Sequence, residues 1–169
     1  TVLRGRSTPH RLGAYEAFIE PVRTALGRFD GGSAPGGLRD LGRLIPGLVE
    51  TDGGAMIPSL ADPAVERRLL FEAVSTLLAL GGPTLLLLDD LHWADAGALA
   101  LLAFLAGADL PNLLIIGTVR SPDVTPSTSA ALAELRRQCS VVRVELAGLT
   151  GSELARLVVD VAGSPVSDA

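Results

Sequence analysis

Four consecutive leucines, Leu85 to Leu88, preceded by Gly81-Gly82-Pro83-Thr84 and followed by Asp89-Asp90, constrain this chain more than any other feature. Gly-Gly-Pro stops the helix before it. The run that follows is too short for a helix and shows no apolar–polar alternation. It predicts a strand buried on both faces, as in a parallel sheet covered by helices.

The rest of the sequence repeats that alternation of strand and helix. Thr1 to Gly5 reads as a short strand. Tyr15, Phe18, Ile19, Val22 and Leu26 fall on one helical face, interrupted by Pro21. Residues 30–62 are irregular, punctuated by Gly31-Gly32, Gly36-Gly37, Gly53-Gly54, Pro35, Pro46 and Pro58, with a short helix from about Leu38 to Leu44. Asp62-Pro63 opens a helix as N-cap and first residue, and Leu69, Leu70, Val74, Leu77 and Leu78 continue it. Asp95 caps a helix from Ala96 to about Ala106, with Gly107 as its stop. Asn112 to Thr118 is a second strand leading to Arg120. A helix spans about Ser127 to Gln138, and Ser140 to Leu146 reads as a third internal strand on its valines. Thr150 and Glu153 form a capping box before Leu154, Leu157, Val158 and Val161. This order predicts an α/β fold with a parallel sheet between helical layers. Ligands of such sheets sit at the carboxyl ends of the strands, here Asp89-Asp90 and Arg120.

Composition removes several kinds of chemistry. All fourteen basic residues are Arg, so Schiff-base catalysis, a Lys general base and a lysine-bearing phosphate loop are excluded within these residues. A net charge of −5 argues against a broad nucleic-acid face. The single Cys139 makes no internal disulfide and fits a reducing cytoplasm. It lacks a nearby His, and there is no Gly-x-Ser-x-Gly for nucleophilic catalysis. No apolar stretch is long enough to span a membrane, and no secretory signal is visible.

A carboxylate at the end of a buried strand meets the ligand crevice. Asp89 there could hold Mg²⁺ beside nucleotide phosphates, and Asp90 could polarise an attacking water. Two neighbouring carboxylates repel unless Mg²⁺ or an Arg neutralises them. The plainer alternative is that both acids only close the strand end. Arg120 could engage phosphate or simply pair with Asp123. His92, within seven residues that also hold Asp89, Asp90 and Asp95, reads as a turn residue bonding the backbone rather than a metal ligand. Trp93 would pack that turn.

Asp89-Asp90-Leu91-His92-Trp93-Ala94-Asp95 after an apolar strand closely resembles the Walker B region of the AAA-like, signal-transducing (STAND) P-loop ATPase modules in large LuxR-type transcription regulators and related predicted ATPases. Leu113 to Arg120, ending Gly117-Thr118-Val119-Arg120, resembles that family's next strand. Val2-Leu3-Arg4-Gly5-Arg6 resembles the strand after its P-loop helix.

The resemblance implies a three-layer P-loop fold, incomplete because the P-loop and its strand would precede residue 1. It divides the chain into a partial ATPase core over residues 1–148, with Walker B at 85–90 and the sensor strand at 113–120, and the start of a helical linker toward the lid at 149–169. It implies ATP and Mg²⁺ as ligands. Asp89 would be the Mg²⁺ acid, directly or through water, Asp90 the acid orienting the attacking water, and Arg120 the γ-phosphate sensor. It also implies a cytoplasmic regulator that self-associates or meets effector proteins, with DNA contacted only through another domain and no membrane contact. The family's Gly-Lys-Thr/Ser loop is absent from this lysine-free sequence. Two strand edges are therefore expected to stand open, leaving residues 1–169 alone poorly stable and weak in nucleotide binding. The alternative is a degenerate, non-hydrolysing scaffold of the same fold.

Overall fold

The computed structural model describes residues 1–10, 13–29, 38–45 and 62–162. The glycine- and proline-rich turns expected at 31–37 and 46–58, and the last seven residues of the expected linker, lie outside them. Three strands form one parallel sheet in the order β1 (Val2–Arg6), β2 (Thr84–Asp89), β3 (Leu113–Gly117). The leucine run is therefore the central strand. Helices α1 (Glu16–Leu26), α2 (Pro63–Leu80), α3 (Ala96–Gly107), α4 (Pro126–Gln138) and α5 (Gly151–Ala162) follow in chain order, with a 3-10 segment at Leu38–Arg43 beside α2.

The helix starts follow local chemistry. Asp62 accepts the Ala64 N–H at 2.8 Å, with Pro63 as the first helical residue of α2. Thr125 accepts the Thr128 N–H at 3.2 Å, and Pro126 opens α4, one residue before the expected start. The capping box ahead of α5 forms in both directions, Thr150 N–H to Glu153 at 2.7 Å and Glu153 N–H to Thr150 at 3.3 Å. At the other end of α3, Gly107 is the last helical residue and Ala108 the cap.

The sheet is not buried on both faces. The register aligns Leu3, Leu86 and Ile115, and beside them Gly5, Leu88 and Gly117. Leu3, Leu86 and Leu88 join one core with Phe18 and Val22 of α1, Val74 and Leu77 of α2, and Leu101 and Leu105 of α3. The opposite rows are Val2, Leu85 and Leu114, then Arg4, Leu87 and Ile116. On that face Leu85 and Leu87 are half-buried, Leu114 is 61% exposed and Ile116 is 46% exposed. The unbroken apolar run does form a strand of a parallel sheet, as expected, but the described helices cover only one of its faces.

The expected strand at 140–146 also differs. Those residues pair with none of the described strands, and Val142 and Leu146 are 85% and 90% exposed. Valine content gives a preference for a pleated surface, but a strand exists only with a ladder partner. The outer edge of β3 is likewise unpaired among the described residues.

At Gly5 the backbone of α1 lies directly over β1: a Cβ there would come within 1.7 Å of the Ala17 carbonyl oxygen. At Gly107 a Cβ would meet no atom within 4 Å. Gly5→Ala is expected to lose about 3 kcal/mol of stability, the upper end for overpacking. Gly107→Ala is expected to be neutral or to gain up to about 1 kcal/mol. Urea midpoints check both, and an unchanged midpoint for Gly5→Ala would refute the close α1–β1 contact.

Candidate functional site

The carboxyl ends of the three strands bring Arg6, Asp89 and Thr118 side by side. Arg6 is in register with Asp89, and the ladders run on past the strands, with the Ser7 N–H donating to Asp89 O at 3.0 Å and the Thr118 N–H to Leu88 O at 2.9 Å. An open cleft of about 610 Å³ runs from the bare side of the sheet around β1 to α1, lined by Arg4, Arg6, Asp89 and Thr118 with Glu16 and Glu20 of α1.

The two acids, adjacent in sequence, have opposite surroundings. Asp89 is exposed, and its Oδ1 accepts a hydrogen bond from the Thr118 hydroxyl. That bond chiefly, helped by the Asp90 backbone and the nearby Arg6 and Arg120 charges, holds its carboxyl below the usual carboxylate range.

Asp90 turns inward. Its backbone is left-handed, at φ 57°, and its N–H donates to Thr118 Oγ1 at 3.0 Å. Its side chain is 10% exposed, and Oδ2 accepts from Arg6 Nε at 3.0 Å and Nη2 at 2.9 Å. Arg120 Nε stands 3.6 Å from Oδ1. The neutralising cation that the paired acids require is thus Arg6, with Arg120 beyond it.

Arg120 is largely exposed, and its ion pair runs to Asp90; toward Asp123 it shares only a backbone turn, Asp123 N–H to Arg120 O at 3.0 Å. His92 is buried, and its Nδ1 accepts the Arg120 backbone N–H at 3.4 Å. Its ring tilts against Trp93 with centroids 5.0 Å apart. Asp95 is structural: Oδ1 accepts the Gly97 and Ala98 N–H groups at 2.8 and 3.0 Å, capping α3. Its Oδ2 accepts the Tyr15 N–H at 2.9 Å, tying the start of α1 to the start of α3.

Among the described residues no three His, Cys, Asp or Glu side chains gather around a metal position. Mg²⁺ asks for less: one or two carboxylates, with phosphates and waters completing its shell. Asp89, exposed and ionised, fits that demand, whereas Asp90 is occupied by Arg6.

The AAA ATPase domain family model matches residues 1–116, over two thirds of the chain, spanning β1, the leucine run and both acids. The chain belongs to the AAA ATPase domain family. Its three-stranded parallel sheet flanked by helices is consistent with an incomplete P-loop NTPase fold, and membership makes it part of a nucleotide-binding module. Arg120 lies just past the matched residues. No curated protein and no solved structure matches the chain. No described helix is long and apolar enough to cross a membrane.

Sequence reasoning gave Arg6 and Thr118 no role of their own. Both act across the sheet, 84 and 28 to 29 residues from the acids they touch. Only the strand register, Arg6 opposite Asp89, could have pointed to them.

Thr118→Val is expected to raise the Asp89 pKa toward the ordinary value of about 3.9, as read by carboxyl ¹³C titration. The sign follows from the depressed folded value. The stabilising contribution of Asp89 is whole above the unfolded carboxyl's pKa and is lost as pH falls through the folded one, and the Val variant lacks the part that the Thr118 hydroxyl supplies. Asp95→Ala is expected to cost about 1–3 kcal/mol in chemical denaturation, since three N–H donors lose their acceptor.

Proposed function

We propose that these residues form the Mg²⁺- and γ-phosphate-facing side of an ATP-hydrolysing regulatory module, of the signal-transducing kind found in large LuxR-type transcription regulators. The observation that carries this reading is the pair of acids at the end of the central strand: Asp89 exposed and ionised, Asp90 inward with Arg6 and Arg120 on its carboxylate.

In this reading Asp89 holds Mg²⁺, directly or through water. Bound there, Mg²⁺ neutralises charge on the β- and γ-phosphates. Arg120, exposed and loosely paired, turns its planar fork to the phosphate oxygens and so reports whether the γ-phosphate is present. Asp90 orients the attacking water once its carboxylate is released from Arg6, because an oxygen accepting two guanidinium N–H groups is a poor acceptor for a water proton.

The backbone cradle and lysine that phosphates require have to come from outside these lysine-free residues. The bare sheet face, the open edge of β3 and the unpaired residues 140–146 support a further strand and helix there. One further parallel strand along β3 would pair its open edge. In the whole module, ATP would favour an active, self-associating or effector-binding state in the cytoplasm, and hydrolysis would reset it. DNA would be met only by a separate domain.

The second reading, a non-hydrolysing scaffold, draws on the Arg6–Asp90 pair, which occupies the acid that hydrolysis needs. One pair of variants separates the two. In the intact protein Asp90→Asn is expected to slow Mg·ATP hydrolysis at least about 10²-fold with nucleotide binding retained. Asp89→Ala is expected to abolish the tightening of ATP binding by Mg²⁺. Equal hydrolysis rates in Asp90→Asn and the parent would overturn the role of Asp90, and no hydrolysis by the parent would favour the scaffold.

A further inference from the structure

Behind the two acids, His92 faces both sides of the site yet takes no part in the chemistry above. Its side chain is 1% exposed. Nδ1 lies 3.4 Å from the Arg120 backbone nitrogen, which donates to it. A backbone N–H can only donate, so Nδ1 is the unprotonated ring nitrogen and the neutral ring carries its proton on Nε2. Nε2 stands 3.9 Å from Asp90 Oδ1, the oxygen that Arg6 leaves free and that Arg120 Nε approaches to 3.6 Å.

We propose that His92 is a positioning residue that holds the Asp90 carboxylate and the Arg120-bearing turn in one fixed relation, through its two ring nitrogens. A ring serving only to pack the Leu91–Trp93 turn would have no use for a particular tautomer, and Phe could replace it. Here the two nitrogens face groups from different elements. Asp90 ends β2, and Arg120 follows β3. The backbone between them is already tied by the Leu91 N–H to Thr118 O at 2.9 Å, and His92 adds a second ring nitrogen that approaches the carboxylate itself, at 3.9 Å from Oδ1 rather than at hydrogen-bond length. A phosphate drawing on Arg120 would therefore be felt at Asp90 through His92 as well as through the Arg120 side chain.

This inference rests on reading Asp90 and Arg120 as the phosphate-facing pair, and its test separates the two. In ¹⁵N-labelled protein, the imidazole nitrogens of His92 are expected to show a protonated Nε2 and a bare Nδ1. His92→Asn, whose amide oxygen stands in for Nδ1, is expected to keep the Arg120 amide protected from hydrogen exchange. His92→Phe is expected to exchange that amide about fivefold faster, the loss of one ordinary hydrogen bond. In Mg·ATP hydrolysis by the intact protein, His92→Phe is expected to lower kcat about tenfold with KM unchanged.

A proton on Nδ1, or an Arg120 amide equally protected in the Phe variant, would overturn the inference. Should His92→Phe fail to fold, the parent tautomer and the Asn variant still decide. Hydrolysis with unchanged kcat in His92→Phe would refute the positioning role and leave the ATPase reading standing. A parent that shows the expected tautomer and amide protection but hydrolyses nothing would support the link and refute the ATPase reading.

Discussion

The left-handed turn at Asp90 is the constraint on which the site depends. An L-residue pays about 1–2 kcal/mol to sit there, and Asp tolerates it better than most. Three contacts hold it: the Asp90 N–H on Thr118 Oγ1, the Trp93 N–H on Asp90 O, and the Arg6 guanidinium on Oδ2. Without it, strand alternation would send the Asp90 side chain to the face opposite Asp89 and Arg6, which are in register. With it, one carboxylate stays in the open cleft and the other enters a buried corner with His92 and Arg120.

That division is possible because the sheet has two unlike faces. One is closed by α1, α2 and α3 around Leu3, Leu86 and Leu88. It fixes the strand ends, and the close approach of α1 at Gly5 leaves β1 little freedom to slide. The other carries the cleft and is apolar without being covered. Asp95 supports the arrangement from behind by joining the N-termini of α1 and α3, so the motif that begins in the site ends in the scaffold. Its acids thus serve three purposes at seven-residue range: an exposed carboxylate, a caged one and a helix cap.

Much of this was legible in the sequence because it is local. The leucine run, the Gly-Gly-Pro stop, the Asp62 and Asp95 caps and the Thr150–Glu153 box each depend on residues a few positions apart. What escaped depends on neighbours distant in sequence. Burial on both faces was inferred from Leu85 to Leu88, yet the facing of each leucine is decided by which helices the fold supplies. Val141, Val142 and Val144 have strand chemistry and no described partner ladder. Arg6 carried no role of its own until register placed it opposite Asp89. For the candidate site, the acids and Arg120 stood out by type and position. That Asp90 would turn back onto Arg6 followed only from its backbone angle together with the strand register.

Charge gives a last reason to place the phosphate loop outside these residues. Around the cleft, Arg4 and Arg6 stand against Glu16, Glu20 and Asp89, two cations against three carboxylates. Arg6 is moreover committed to Asp90, and Arg120 leans on the same carboxylate. A Mg·ATP complex is itself negatively charged, so it would enter a cleft whose own balance is unfavourable, and any phosphate contact with Arg6 or Arg120 would be made at the expense of Asp90. Such a ligand is held when donors are added that have no competing acid: backbone N–H groups at a helix start and a lysine. The apolar sheet face beside the cleft is where an element carrying them would find both burial and the phosphates. In the function proposed above, nucleotide arrival and release of Asp90 would be opposite sides of one exchange of partners by the arginines.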